Sequence, residues 1–308
     1  MELILHNHPR SMYSEKVRRV LAYKGLAWTD IEVPPIPPKD DFLPLTGGYR
    51  RMPVMQLGAD IYCDSALILE KLETVAPLPA VFPSGAAGRA RMVADWVDHR
   101  VARWAIVAVF PDYLELASPA FIQDRTALIP DLAPERVRVL APHAADQFEQ
   151  FAAFLEAALQ ESAFVVSDSF TVADAACYHV MNFVSANPRV FSRVANRGAI
   201  RDWLARIAAF PAPEVVRKPA DYALAVAKAA QPVDVGTAEE ISGALRFGDS
   251  VAVSADDYAT ERVVGELVKL TQTEVAVRRV SERLGDTVIH FPRLGFKIES
   301  VDKGAGVG

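Results

Sequence analysis

The sequence predicts a multi-domain α+β protein with three parts in order: a small α/β domain, an all-helical bundle and a small β-barrel. Three observations predict it. Short apolar strands alternate with amphipathic helices over residues 1–75. From Arg89 the apolar positions recur with a period of about 3.6, and past Pro232 the pattern turns extended, with turn residues between short runs.

In the first part, Leu3-Ile4-Leu5 is a buried strand. Val17, Val20, Leu21 and Lys24 follow Ser14 at helical spacing, and Gly25 closes that helix as a C-terminal cap. Trp28 to Val33 alternates as a second strand, ended by Pro34-Pro35-Ile36-Pro37-Pro38. Val54-Met55-Gln56-Leu57 and Ile61-Tyr62 supply two more around the turn Gly58-Ala59-Asp60, and a helix carrying Ala66, Leu69 and Leu72 begins at Ser65. Ala76 to Gly88, rich in Pro, Gly and Ala, reads as a linker and bounds the first domain at residues 1–76.

The second domain, residues 89–228, carries helical stripes: Val93, Val97, Val101, Trp104 and Ala108, then Phe148, Phe151 and Leu155, then Ile200, Trp203 and Ile207. Pro111 to Pro134 is long for a helix–helix connection and is expected to fold over as a partial lid. Thr171-Val172-Ala173-Asp174 has the form of a capping box. The third domain, residues 233–300, starts after Lys228-Ala229-Ala230-Gln231-Pro232. Its extended runs (Val251/Val253, Val263-Val264 with Leu267-Val268, Val275/Val277, Val288-Ile289, Phe296/Ile298) suggest five strands in a barrel of SH3-like type. Lys303 to Gly308 is expected to fray.

Composition narrows the function. The 308 residues are 51% hydrophobic and 23% charged, with net charge −6, so no basic surplus points to nucleic acid or an anionic membrane. From Val233 onward 9 Lys+Arg face 13 Asp+Glu, which argues against a nucleic-acid-binding barrel. No apolar run is long enough to span a bilayer. Met1 to His6 reads as a strand without a basic region before it, so a cytoplasmic protein without a signal peptide is expected. Cys63 and Cys177 lie in apolar surroundings and read as free thiols, Cys63 as a small buried hydrophobe. His6-Asn7-His8 has a spacing that could bind metal but lacks a nearby Cys or Glu, so no metal is expected. Asp256-Asp257 lacks the spacing of a calcium loop and reads as a solvated turn.

Three short motifs carry chemistry. Ser11-Met12-Tyr13-Ser14 sits between the first strand and the first helix, where backbone N–H groups and the helix dipole favour a thiolate; the same serines are also good helix caps. Met52-Pro53 opens a strand with a residue that cannot donate to the ladder. Asp64-Ser65 opens the next helix, a natural carboxylate site, with Ser65 placed as N-cap.

In order and spacing these motifs resemble the thioredoxin-like half of the glutathione transferase superfamily, specifically its serine-type members, over about residues 1–225. The resemblance implies that Ser11 is catalytic and hydrogen-bonds the thiolate of glutathione, with Ser14 at the position of a resolving cysteine. It implies a cis Met52-Pro53 bond, strand-like pairing of Met52 with glutathione, Ser65 on the γ-glutamyl carboxylate and Asp64 on its amino group, where the commoner residue is Glu or Gln. Lys39 and Arg51 are candidate cations for the glycine carboxylate. The second substrate, an apolar electrophile, is expected near His8, Tyr13, His99, Arg103 and Trp104, although Trp104 also belongs to an apolar stripe. The implied protein is a homodimeric detoxifying transferase using glutathione as substrate. Lyase or reductase chemistry shares the same pocket. The alternative is a catalytically silent scaffold that binds a partner through its C-terminal β domain, which ordinary two-domain members lack.

Overall fold

The computed structural model describes residues 2–235 and 245–301; the expected fraying of 303–308 lies outside them. The elements in chain order are β1 (Ile4–Asn7), α1 (Met12–Lys24), β2 (Trp28–Glu32), α2 (Phe42–Leu45), β3 (Val54–Leu57), β4 (Asp60–Cys63), α3 (Ser65–Val75), α4 (Ala87–Trp96), a π-turn (Val97–Val101), α5 (Ala102–Leu116), α6 (Pro119–Leu128), a 3-10 turn (Pro130–Leu132), α7 (Pro134–Glu161), α8 (Val172–Ser185), α9 (Pro188–Phe191), α10 (Gly198–Ala208), β5 (Val215–Arg217), α11 (Ala220–Ala229), β6 (Ser250–Ala255), β7 (Val263–Leu270), β8 (Glu274–Ser281), β9 (Gly285–Pro292) and β10 (Phe296–Ser300). They divide into two compact units: a sheet unit of the described residues up to Ser14, 27–71 and from Glu214 onward, and a helical unit of 15–26 and 72–213.

The sheet unit holds one ten-stranded sheet in the order β10-β6-β7-β8-β9-β4-β3-β1-β2-β5. β1 is buried on both faces: the apolar run ending in Ile4-Leu5 predicts this for its first half, and polar His6 and Asn7 are buried with it. It pairs parallel to β2 and antiparallel to β3, and β3 pairs antiparallel to β4. All five strands expected after Pro232 are present. Four form an antiparallel meander, and β10 returns to pair with β6. They continue the N-terminal sheet, because β9 pairs parallel to β4 with Ile61 opposite Ile289 and Tyr62 opposite His290. Apolar periodicity states which face of a strand is buried and leaves its partner open. Without β9, β4 would expose a row of unpaired backbone groups.

The core is shared in the same way. Phe42, Leu45, Tyr49, Val54 and Ile61 lie in one cluster with Val251, Val263, Leu267, Val277, Ile289 and Phe291. Gly47 (φ +67°) marks a close approach, since a Cβ there would fall within 2.6–2.9 Å of Arg279, Val263 and Ile289. Residues 214–229, expected at the end of the helical segment, return to this unit as well. β5 adds to β2, and α11 buries Ala223 beside Ile4 and Ile31.

Charged groups tie the β4–β9 seam. His290, fully buried, stacks on Tyr62 at 4.4 Å between ring centres and bonds Glu274 through Nδ1 (2.6 Å) and Asp60 through Nε2 (3.2 Å). Asp234 accepts from Tyr62 (2.9 Å), Lys71 (2.6 Å) and Lys269 (2.6 Å), and Lys269 also meets Glu274 at 2.9 Å. Burial disfavours the His290 cation, yet Asp60 and Glu274 outweigh it and raise the imidazole above its usual range. Burial likewise opposes the Glu274 charge, and His290 and Lys269 hold its carboxyl low. A raised histidine contributes stability fully below about pH 6.5 and loses it as pH rises through the folded value. The lowered Glu274 contributes above about pH 4.5 and loses it in more acid solution. The wild-type melting temperature is therefore expected to decline from pH 6.5 to 9, with a flatter profile for His290→Gln. Identical slopes in a differential scanning fluorimetry series would discount the network.

In the helical unit, the expected linker ends at Ala86, where α4 begins. The predicted stripe through Trp104 is displaced by the π-turn, which widens one turn and rotates the residues after it. Val97, Val101, Ala105 and Ala108 take the buried face, and Trp104 is half-buried with Arg100 over its ring at 5.1 Å. Pro111 to Pro134, expected as a long connection, consists of the end of α5, α6 and a 3-10 turn, with Pro111 inside α5. The capping box is present at the start of α8. Among the described residues, no helix is long and apolar enough to cross a membrane.

Candidate functional site

The strand register brings the three motifs to one end of the sheet. His6 on β1 lies opposite Val54 on β3, and Val54 lies opposite Cys63 on β4. Because β3 runs antiparallel to both, the exit of β1, the entry of β3 and the exit of β4 coincide. Ser11 follows the first, Met52-Pro53 precedes the second, and Asp64-Ser65 follows the third.

Ser11 is half-buried. Its N–H donates to the His8 carbonyl (3.0 Å), and its Oγ accepts the Ser14 N–H (3.2 Å), the capping bond from N-cap to third helical residue. Accepting that bond leaves the Ser11 hydroxyl hydrogen able to donate elsewhere. Ser14 is fully buried, with no partner for its Oγ among the described residues. Half-buried His8 accepts the Arg10 N–H on Nδ1 (3.2 Å), and Tyr13 is half-buried at the start of α1. His6 faces inward, bonds Gln56 at 2.9 Å, and is pushed down to about 4 by burial, so it is neutral at pH 7.

Met52-Pro53 is cis, as expected, and Met52 is half-buried. At the third motif the structure corrects the expected cap. Asp64, not Ser65, caps α3: it sits at φ +74°, its Oδ1 accepts the Ala66 N–H (2.8 Å), and its carbonyl accepts the Ile68 N–H (3.0 Å). Aspartate tolerates this left-handed backbone and caps as well as serine does, so the pair Asp-Ser did not distinguish the two. Ser65 becomes the first helical residue and is buried.

The two candidate cations are committed to the protein itself. Lys39 is buried; its Nζ donates to the Arg50 carbonyl (3.0 Å) and lies 5.5 Å from the Phe42 ring centre. The Arg51 guanidinium bonds the Asp257 carboxylate and the Tyr258 carbonyl and stacks on the Tyr258 ring at 3.9 Å. Burial opposes its charge, and Tyr258, Tyr49 and Asp257 keep it firmly protonated. The expectation that Arg51 is open to a carboxylate ligand is revised accordingly, while Asp256 and Asp257 lie in an exposed turn as expected. No local motif links positions 51 and 257; only the fold joins them.

The remaining second-substrate candidates lie in the helical unit. His99 is exposed in the π-turn and bonds the Asp95 carbonyl at 3.0 Å. Arg103 pairs with Asp131, and Trp104 follows it on α5. Beside them Asp98 forms a buried centre the motifs did not reveal, held by Lys16 and by His179 (2.8 Å). Burial alone would raise this carboxyl, and the Lys16 ammonium together with the His179 hydrogen bond pulls it down to about 2. A surface cavity of about 470 Å³ in this unit is lined by Arg138, Arg189 and Arg193, but Asp112 answers Arg189 and Asp146 and Glu149 answer Arg193, so it has no net positive field. Asp234, Glu274 and His290 converge as a metal site would, yet the Lys269 ammonium already bridges the two carboxylates. Both cysteines are buried and free, and burial pushes both thiols up.

Residues 5–80 match the family described as Glutathione S-transferase, N-terminal domain, and residues 112–211 match Glutathione S-transferase, C-terminal domain. The crystal structure of a GST-like protein from Pseudomonas syringae is 31% identical, with a TM-score of 0.81 over 97% of this chain and 99% of that one. The chain belongs to the glutathione transferase superfamily. At that coverage the likeness to the Pseudomonas protein takes in the C-terminal strands. Glutathione S-transferase TCHQD from Arabidopsis thaliana is 30% identical over 139 residues, 42% of this chain and 51% of that one, so this chain spans about half the length of that curated relative. The β-etherase LigF of Sphingobium sp. strain SYK-6 shares the transferase fold at 20% identity and a TM-score of 0.56, over 69% of this chain and 97% of its own.

Proposed function

We propose that this glutathione transferase superfamily member joins glutathione to an apolar electrophile, acting as a cytoplasmic homodimer. The observation that carries the reading is the juxtaposition of Ser11, Met52-Pro53 and Asp64-Ser65 at one end of the sheet, with the Ser11 hydroxyl hydrogen uncommitted by its capping bond. In this reading Met52 pairs with the cysteinyl backbone of glutathione, and Asp64 and Ser65 hold the γ-glutamyl end at the N-terminus of α3. The glutathione thiol releases its proton to solvent, and Ser11 together with the α1 N-terminus stabilises the thiolate. The sulfur then forms a bond to the electrophilic carbon as the leaving group departs with the bonding pair. His8, Tyr13, His99, Arg103 and Trp104 remain the candidates for contact with the electrophile.

Calorimetric titration of the purified protein with glutathione tests the pocket. Saturable binding in the micromolar to low-millimolar range, about −8 to −4 kcal/mol, is expected. No heat, together with an unshifted melting temperature at high glutathione, would overturn the reading and favour a partner-binding scaffold.

A further inference from the structure

The segment that carries Lys39, Arg51 and Met52 is built on the C-terminal strands. Four contacts run along it in sequence. Arg283 donates to the Asp40 carbonyl (2.7 Å) and pairs with Asp41. Arg279 donates to the Gly47 carbonyl at 3.0 Å, where a Cβ would not fit. Glu261 lies 3.9 Å from Arg50. Asp257 and Tyr258, in the turn between β6 and β7, grip Arg51 by a two-pronged ion pair, a backbone acceptor and a stacked ring. Buried Lys39 also fixes the Arg50 carbonyl. The chain entering Met52 is thus held at both Arg50 and Arg51, immediately before the cis bond.

We propose that the turn between β6 and β7 is a working part of the glutathione site: Asp257 and Tyr258, through Arg51, fix the backbone at Met52 to which glutathione pairs. The proposal rests on the reading of Met52 given above. It makes Asp257 and Tyr258 positioning residues and assigns the C-terminal strands a role in glutathione affinity. Bidentate arginine–carboxylate geometry and ring stacking give such a clamp directional stiffness that a single exposed ion pair lacks. Arginine is required for it, since lysine has neither the fork nor the flat face.

The test uses the full chain and three variants: Asp257→Asn, Arg51→Lys and, as control, Asp256→Asn. Asp256 is the exposed neighbouring carboxylate in the same turn. Amide hydrogen exchange over residues 50–54 reads the clamp without any ligand, and calorimetry and steady-state kinetics read its use. Faster exchange at 50–54 is expected in Asp257→Asn and Arg51→Lys and not in the control. Glutathione Kd and KM should rise about three- to tenfold, with kcat changing less than about twofold and the melting temperature held within a few degrees. Unchanged exchange would overturn the clamp. Altered exchange with unchanged glutathione affinity would overturn its role in binding. Tighter binding in Asp257→Asn would show Asp257 competing with the ligand for Arg51, which also overturns it. A wild-type protein that binds no glutathione, with the exchange difference intact, would reject the transferase reading and leave the clamp standing.

Discussion

Ser11→Ala is expected to lower kcat/KM at pH 7 by about a hundredfold while leaving glutathione affinity within about threefold. The size follows from removing one positioned donor to a developing or stabilised anion. The substitution also deletes the N-cap of α1, because the Ser11 Oγ accepts the Ser14 N–H at 3.2 Å, and this costs about 1 kcal/mol of stability. The two effects separate by pH. Without the donor the bound thiol titrates higher, so activity of Ser11→Ala should climb more steeply between pH 7 and 9 than that of the wild type, whereas a lost cap alters the melting temperature at every pH. Stopped or steady-state assays with an aryl halide electrophile across that range decide it. Unchanged turnover at pH 7 would remove Ser11 from the chemistry, and a parallel loss of binding would point to a collapsed α1 terminus.

Asp174→Ala should produce the largest loss of stability in the helical unit. The Asp174 carboxylate is fully buried and accepts four donors: the N–H of Val165 (2.9 Å), the N–H and hydroxyl of Thr171 (3.0 and 2.9 Å) and the indole N–H of Trp203 (3.0 Å). Truncation strands these donors, each at about 1 kcal/mol or more, so a total of about 4 kcal/mol and a fall of about 10 °C in melting temperature are expected. Asp174→Asn keeps an acceptor but turns an amide donor toward others, and should cost about half as much. Burial pushes this carboxyl up to about 6 although the four donors act in the other direction. The folded protein therefore holds more protons than the unfolded chain between about pH 4 and 6, and the contribution of this group to stability falls as pH rises across that window and is level above it. Urea unfolding at pH 7.5, where the carboxylate is ionised, is the appropriate comparison. A loss below about 1 kcal/mol would mean that water replaces the carboxylate.

The sequence by itself determined the local chemistry of this protein. The apolar runs of β1 to β4 and the capping box at Thr171 are consequences of backbone geometry within a few residues, and such consequences are readable from residue types alone; the order and spacing of Ser11, Pro53 and Asp64 were legible through the resemblance to a known family. The five C-terminal strands were legible for the same reason, since alternation and turn residues are local. Neighbouring choices of equal local merit were not. Asp64 and Ser65 are both good caps, and only the left-handed backbone at Asp64 selects one. A π-turn at Val97–Val101 carries no motif, so Trp104 slipped from its predicted stripe.

What only the tertiary structure decided is which surfaces meet. Burial free energy depends on area removed from water and is indifferent to the partner that removes it, so a strand such as β9 announces its buried face without naming β4. The pairing of Ile61 with Ile289, the grip of Asp257 on Arg51, and the Asp98 and His290 centres join residues separated by dozens to hundreds of positions. Ion pairs of that range have no periodicity and leave no trace in a single chain's residue order. They form because the folded backbone brings the charges within a few ångströms, where screening by water is weakest.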